Sequence, residues 1–518
     1  MTNLHGDYVA FISDGARAWV VRDRLGAHTL SFAARDRWTA LGEHDIDVLE
    51  LLPATPVPDR MAVVQWIERR TLPEGRSLFA GVSHLQAGRM LELSAHGTTV
   101  RTYWQPKYGE VDKGTRTELA TALREEAFAA VARAREGARN PGLRLSGGLD
   151  SACVGAGLAR AGGSPAHALA VTFPDDPAAD ESALIRASAQ FSGLQLSAIP
   201  FRHADLLGPM LSHLERWRVP PPTPNLVMSE PLAALARELG VDVLLDGEAG
   251  DEMFGASKYL VGDFLRAGRL TGAWRLSGSL PGAGEHVPWR LRLWALRAIG
   301  VSGALPLQVQ AWRRQRRPRE HLVSHLVRDH DVDALMAEDD PWRFKRRDGP
   351  LWWRHKVASF VDVFDAMDVN GFSRRQATDG GVDQRHPFLH DVGLLERVLR
   401  TPPETAFESI RDRPLLRDAL AGHIAEEVRT RHAKSHFTGV SVSPLAGAEG
   451  QRLATELALS DAPVREYVSD SGLKSLLSPA PSTPAAAAAW SGQLTTVGLI
   501  NRWLLLLDAP LEWPRPGP

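Results

Sequence analysis

Six consecutive residues, Ser146-Gly147-Gly148-Leu149-Asp150-Ser151, hold the densest chemistry in this 518-residue chain. Leu143-Arg144-Leu145 before them reads as a short strand, and Leu149-Asp150-Ser151 as a helix start. The backbone N–H groups of Ser146, Gly147 and Gly148, with a serine hydroxyl, would then sit at a helix N-terminus and form an anion site. Asp150 beside a phosphate nest makes chemical sense if Mg²⁺ bridges carboxylate and phosphate oxygens. No G-x-x-x-x-G-K-[ST] occurs in the chain, so this is not an ordinary P-loop. A Ser-Gly-Gly triplet alone would be a surface turn after a buried strand. The whole run points to a nucleotide.

A second loop has related chemistry. Val241-Asp242-Val243-Leu244-Leu245 fits a buried parallel strand. Asp246-Gly247-Glu248-Ala249-Gly250-Asp251-Glu252 follows, with four carboxylates among seven residues. Such a cluster repels itself unless a cation joins it. By itself the segment could be an acidic exposed loop. Further on lie Val382-Asp383-Gln384-Arg385-His386-Pro387-Phe388-Leu389-His390, Arg413-Pro414-Leu415-Leu416-Arg417 and Arg431-His432-Ala433-Lys434-Ser435-His436-Phe437.

Taken in order, these segments resemble the asparagine synthetase family of ATP pyrophosphatases. Ser146–Ser151 resembles its pyrophosphate loop, 246–252 its Ser/Thr/Asp-Gly-x-Gly-x-Asp-Glu loop, and 382–390 its E-x-R-x-P-F-L-D signature. Ala249 stands where that pattern has Gly. The resemblance implies ATP and Mg²⁺, with a carboxylate attacking the α-phosphate, pyrophosphate leaving, and an amine displacing AMP from the acyl-adenylate. It implies that Leu145, Ser146, Gly147, Gly148, Asp150 and Ser151 line the pyrophosphate site and that Asp150 and Asp251 hold the metal. Val171, Phe173 and Gly247 resemble adenosine contacts. Lys434 matches the lysine that stabilises anionic charge as the amide forms. The proton acceptor stays open between Glu248 and Asp383, the latter shorter than the usual Glu.

The elements that must position these residues share the same plan. The resemblance divides the chain into a degenerate, β-rich glutamine-amidotransferase-like domain, 1–108, and a synthetase-like domain, 109–518. Strands are expected at Tyr8–Ile12, Ala18–Arg22 and Thr29–Phe32, and Arg22-Asp23-Arg24-Leu25-Gly26 resembles the amidotransferase R-D-x-x-G turn. A helix near 116–137 is followed by strands at Leu143–Leu145, His167–Phe173, Leu194–Pro200 and Val241–Leu245. Helices fit at Glu181–Ser192 and Ser229–Gly240. This alternation is that of an α/β fold with a parallel sheet. The rest is expected to be mostly helical. Ser478–Pro484 and the five alanines after it read as an exposed loop, and a last helix near Trp490–Asp508 as packing back.

Composition narrows the class. A formal charge of −2 offers no basic field for nucleic acid. The single cysteine, Cys153, excludes a disulfide framework; it reads as a small buried hydrophobe or a reactive thiol. No signal peptide or membrane-length apolar run is evident, so a cytoplasmic enzyme without membrane or nucleic-acid partners is expected. Position 2 is Thr2, where the family's glutaminases have their nucleophilic cysteine, and Leu4–Phe11 resembles an internal family strand. The expectation is a glutaminase-deficient branch resembling lasso-peptide macrolactam cyclases and β-lactam synthetases. Its substrate would be a precursor peptide or a small amino-acid-derived molecule, with natural-product biosynthesis as the setting and ammonia-dependent asparagine synthesis as a further alternative. Tyr8–Ile12 would be an open strand edge, covered either by a leader-binding or protease partner, the precursor peptide or a second copy, or within one chain by the C-terminal helices or a rearranged loop. Trp289–Arg319, with eight arginines and interleaved Trp289, Trp294 and Trp312, is either a docking patch for an acidic partner or an amphipathic insertion with a solvated face.

Overall fold

In the computed structural model, residues 6–507 are described except 54, 73–74, 163–165, 203–205, 282, 317–323, 339, 433–434 and 436–437. Seven strands open the chain: β1 (Val9–Ser13), β2 (Ala18–Arg22), β3 (Ser31–Ala34), β4 (Thr39–Gly42), β5 (Ser83–His84), β6 (Arg89–Ser94) and β7 (Gly97–Thr102). They form two antiparallel sheets, ordered β1-β2-β6-β7 and β4-β3-β5. The β-rich expectation holds, with two helices added at Asp45–Leu49 and Arg60–Ile67. β1 is an edge strand paired to β2 alone within the sheet, and its Phe11 is 66% exposed. The strand expected at Thr29–Phe32 starts later, at Ser31.

The second half is built on a parallel sheet. β8 (Pro141–Arg144), β9 (His167–Thr172), β10 (Gln195–Pro200), β11 (Val243–Leu245) and β12 (Asp383–Arg385) are ordered β10-β9-β8-β11-β12, every pair parallel. β8 and β11 are buried almost throughout, as their apolar runs require. The chain leaves β8 toward β9 and β10, then returns to the other side of β8 for β11 and β12. The strand order therefore reverses between β8 and β11. Loops leaving two such strands diverge, and a crevice opens at their C-terminal ends. The two glycine-containing loops of the sequence are the ones that leave β8 and β11.

Helices cover this sheet and extend beyond it. Among the described residues, none is long and apolar enough to cross a membrane. The Arg116–Arg135 helix begins with a capping box between Thr115 and Glu118 and packs Leu123, Ala127 and Val131 into the core. The Leu149–Ala161 helix places Cys153 fully inside that core, and burial pushes its thiol pKa up, so it is a packing residue. The polyalanine expectation is corrected. The last helix spans Pro484–Leu507 and includes the alanines, because Pro suits a first helical turn and Ala is the best helix former. Trp503 on this helix is fully buried, donates from Nε1 to the Arg218 carbonyl at 2.7 Å, and meets the Phe79 ring edge-on at 5.4 Å. This helix thus packs into the core that Phe79 and its neighbours in the first hundred residues form. Trp503→Ala should cost roughly 3–5 kcal/mol through the cavity it leaves. Urea unfolding should show an earlier transition, and hydrogen exchange at 77–82 should quicken; unchanged protection there would mean that Phe79 does not depend on this helix.

Candidate active site at the sheet switch point

The loop after β8 is shaped by contacts only glycine allows. A Cβ on Gly147 would lie 2.7 Å from the Glu181 Cβ. The N–H of Gly147 donates to the Glu181 carboxylate at 3.0 Å. The Ser146 N–H donates to Ser151 Oγ at 3.1 Å, the two hydroxyl oxygens are 3.0 Å apart, and the Gly148 N–H donates to Ser146 Oγ at 3.2 Å. The loop N–H groups thus face oxygen acceptors, as an anion nest does, and a carboxylate takes one of them. Leu145 is buried, and its N–H continues the sheet to the Leu169 carbonyl at 2.8 Å.

The loop after β11 presses against it. A Cβ on Gly247 would be 2.7 Å from the Ser151 nitrogen, and one on Gly250 would be 2.3 Å from Asp150 Cγ. Ala249 between them has φ +64°, the left-handed region, which L-residues occupy at a cost of about 1 kcal/mol. That is why glycine suits this position of the loop. The short Gly250–Phe254 helix then carries Asp251. Behind it, the buried Lys356 ammonium donates to the carbonyls of Glu252, Met253 and Gly255 at 2.6, 3.0 and 2.7 Å, closing the helix C-terminus. Burial draws the Lys356 pKa down to about 7.

The two carboxylates expected as metal ligands converge. One guanidinium nitrogen of Arg413 bonds the Asp150 carboxylate and lies 3.0 Å from the Asp251 carboxylate. Arg413 is 4% exposed and holds φ +49°. Two carboxylates from two loops, meeting at one positive charge beside an anion nest, make a donor set that suits a hard divalent cation. Asp150 and Asp251 could hold such an ion. In the sequence Arg413 stands within a motif and carries no role of its own. Glu181 and Arg431 are likewise silent there, yet the Arg431 guanidinium donates to Glu181 at 2.6 Å, to the Gly147 carbonyl at 3.2 Å and to Ser435 at 2.7 Å. The arginines inside the late basic motifs are the available signal.

A buried ion pair backs the crevice. Asp246 accepts from Arg144 at 2.6 Å and from the Glu248 N–H at 3.0 Å, and lies 2.8 Å from His386 Nδ1. Burial works against its charge, but His386 and Arg144 hold it ionised, below the usual carboxylate range. Burial likewise works against charge on His386, and Asp246 raises its pKa. Glu248, close by, is raised by burial and then by Asp246, which suits a group that must accept a proton. Asp383 sits elsewhere, at the start of β12 opposite Val243, paired with Arg385 at 2.8 Å and Arg374 at 3.4 Å. It faces a cavity of about 380 Å³ that His386 also lines. The two candidate bases therefore stand on different parts of the site. Val171 is half-buried near the end of β9, and Phe173 just beyond is buried with its ring 5.6 Å from that of Phe201. Gly247 meets the Asp150–Ser151 backbone. Lys434 lies outside the described residues.

The family model described as asparagine synthase matches residues 122–505, and that of the glutamine amidotransferase domain matches 1–104. Amidase chyE of Penicillium rubens is 23% identical over 493 residues, covering 84% of this chain and 70% of its own. Amidase chry2 of Gibberella zeae is 24% identical over 491 residues, with the same coverage.

The Arg413 bridge is directly testable. Arg413→Met keeps the bulk and leaves two carboxylates facing each other. The expected loss is roughly 3 kcal/mol or less, since Asp251 is half exposed and partly screened. Millimolar Mg²⁺ should raise the melting temperature of the variant more than that of the parent. Equal Mg²⁺ responses would show that the guanidinium and the metal do not share the site.

Proposed function

The chain belongs to the asparagine synthase family, whose members form amide bonds with ATP, and we propose that this one joins a carboxylate to an amine through an acyl-adenylate. The convergence of Asp150 and Asp251 at the switch-point crevice, beside the Ser146–Ser151 nest, carries this reading. A substrate carboxylate oxygen forms a bond to the α-phosphorus of ATP, and the bond from that phosphorus to the bridging β-phosphate oxygen breaks. Ser146, Gly147, Gly148 and Ser151 bind the departing pyrophosphate through N–H and O–H donors. Mg²⁺ held by Asp150 and Asp251 would supply charge neutralisation to the phosphate oxygens. The amine then bonds to the acyl carbon and AMP leaves with the electron pair. Glu248, with its raised pKa, takes the amine proton. Lys434 stabilises the negative charge that develops on the acyl oxygen.

The amine is a substrate amine, and the most specific form of the reading is macrolactam closure of a lasso-type precursor peptide by its own N-terminus. Residues 1–104, which match the amidotransferase model, contain no cysteine to release ammonia from glutamine, and Cys153 is buried in the other domain. The cavity of about 380 Å³ between the Asp23–His28 segment and β12 offers room for a substrate group larger than ammonia. The second reading is a small-molecule amide or lactam synthetase, supported by the amidase names of the two fungal relatives, which mention no peptide.

Incubation with ATP, Mg²⁺ and candidate substrates, followed by nucleotide separation, should yield AMP and pyrophosphate. ADP and phosphate would refute the adenylate. Asp150→Asn and Asp251→Asn should each fold and lose at least about a hundredfold in rate, near 3 kcal/mol of transition-state stabilisation. Full rates in either would remove that residue from the metal site. Lys434→Met should keep nucleotide binding and exchange labelled pyrophosphate into ATP, yet form little amide. Normal amide turnover would return Lys434 to a solvated role.

A further inference from the structure

Between residues 266 and 316 the chain has nine arginines, no lysine and one carboxylate, Glu285, although the whole protein has a formal charge of −2. The core of this segment is a helix at Trp289–Ala295 that continues as a π-helical stretch, Leu296–Val301, and a last turn at Ser302–Ala304. Its inner face is made of small residues. Ala295, Gly300 and Gly303 are buried, and a Cβ on Gly300 would lie 2.8 Å from the Leu265 side chain on the Leu260–Arg266 helix. The inner face therefore packs to backbone distance and has no room for large side chains.

The large apolar residues stand outside instead. Trp289 is 61% exposed, Trp294 58% and Leu293 46%; Trp312, on the next helix, Leu307–Gln315, is 55%. Of the five described tryptophans that are exposed, four lie between 274 and 312. Spacing of four residues puts Trp289 and Leu293 on one outward row and Arg290 and Trp294 on a neighbouring one; Arg297 and Val301, in the π-helical stretch that follows, are also exposed. Guanidinium groups lie over the indoles: Arg290 at 5.6 Å from the Trp289 ring and Arg316 at 3.9 Å from Trp312. A stacked guanidinium keeps its in-plane N–H donors free for a carboxylate. Exposed tryptophan with arginine is the composition of binding hot spots.

We propose that the outer face of 289–316 is a docking surface for an acidic, amphipathic segment of a partner protein, whose apolar residues cover Trp289, Leu293 and Trp294 while its Asp and Glu pair with Arg290 and Arg297. Charge complementarity selects this occupant: a strongly positive segment with nine arginines and one carboxylate of its own attracts a negative one, and the exposed tryptophans demand an apolar stripe between the charges. Such docking requires none of the chemistry proposed for the crevice.

The test uses the full chain and a labelled helical peptide of Leu, Ala and Glu, with a twin in which every Glu is Gln. Fluorescence anisotropy should show the acidic peptide binding at least about tenfold more tightly than its twin, with affinity falling as salt rises. The double variants Arg290→Glu/Arg297→Glu and Trp289→Ala/Trp294→Ala should each weaken binding about tenfold or more, with circular dichroism unchanged. Arg124→Glu/Arg160→Glu, on a different part of the surface, should leave binding within about twofold of the parent. No binding, equal binding of the twin, or indifference to both 289–297 variants would overturn the proposal. So would binding to phosphatidylglycerol vesicles that depends on those residues while the peptide fails, which would make the surface a lipid contact.

Discussion

Asp246 holds the crevice together. It follows β11, yet its carboxylate is bonded by Arg144 at the end of β8 and lies against His386 just past β12. Three strand ends from distant parts of the chain are thereby tied to one buried charge. A buried carboxylate requires matched donors, and here each donor comes from a different strand. The glycine loops can approach each other at backbone distance only because these ends are held in register. Glu248 owes its raised pKa to the same arrangement, being buried two residues beyond a charge that cannot leave.

Around this clamp several charged groups of the crevice bond one another. Glu181 accepts from the Gly147 N–H, and Arg413 bridges Asp150 and Asp251. A carboxylate stands where an anion would bind and a guanidinium where a cation would. In the folded chain Asp150 and Glu181 thus meet guanidinium groups of Arg413 and Arg431.

Much of this is legible in the residues alone. Both loops announce themselves because glycine, serine and carboxylate in fixed order have few structural uses, and the strand–helix alternation places them after parallel strands. The strands expected at 143–145, 167–173, 194–200 and 241–245 all exist, with ends shifted by one or two residues. The polyalanine stretch reads as a loop because its proline and serine neighbours dominate; in the fold it starts a helix anchored by Trp503. Asp383 and Glu248 are equivalent candidates in sequence, and only the fold separates them, one in a charged pair on β12 and the other against Asp246.

By itself the sequence determined the order of the elements and the loops that bear the polar groups, because these depend on local residue types and periodicity, and its resemblance to a family supplied the class of chemistry. Only the tertiary structure decided which side chains meet. Arg413, Arg431 and Glu181 belong to the site through contacts spanning about 250 to 284 positions, and no local pattern encodes a pair at that separation. The same holds for Trp289 and Trp294. An alternation of tryptophan, leucine and arginine fits a buried helix or an exposed one, and it was the close packing of Ala295, Gly300 and Gly303 on the other face that turned the tryptophans outward.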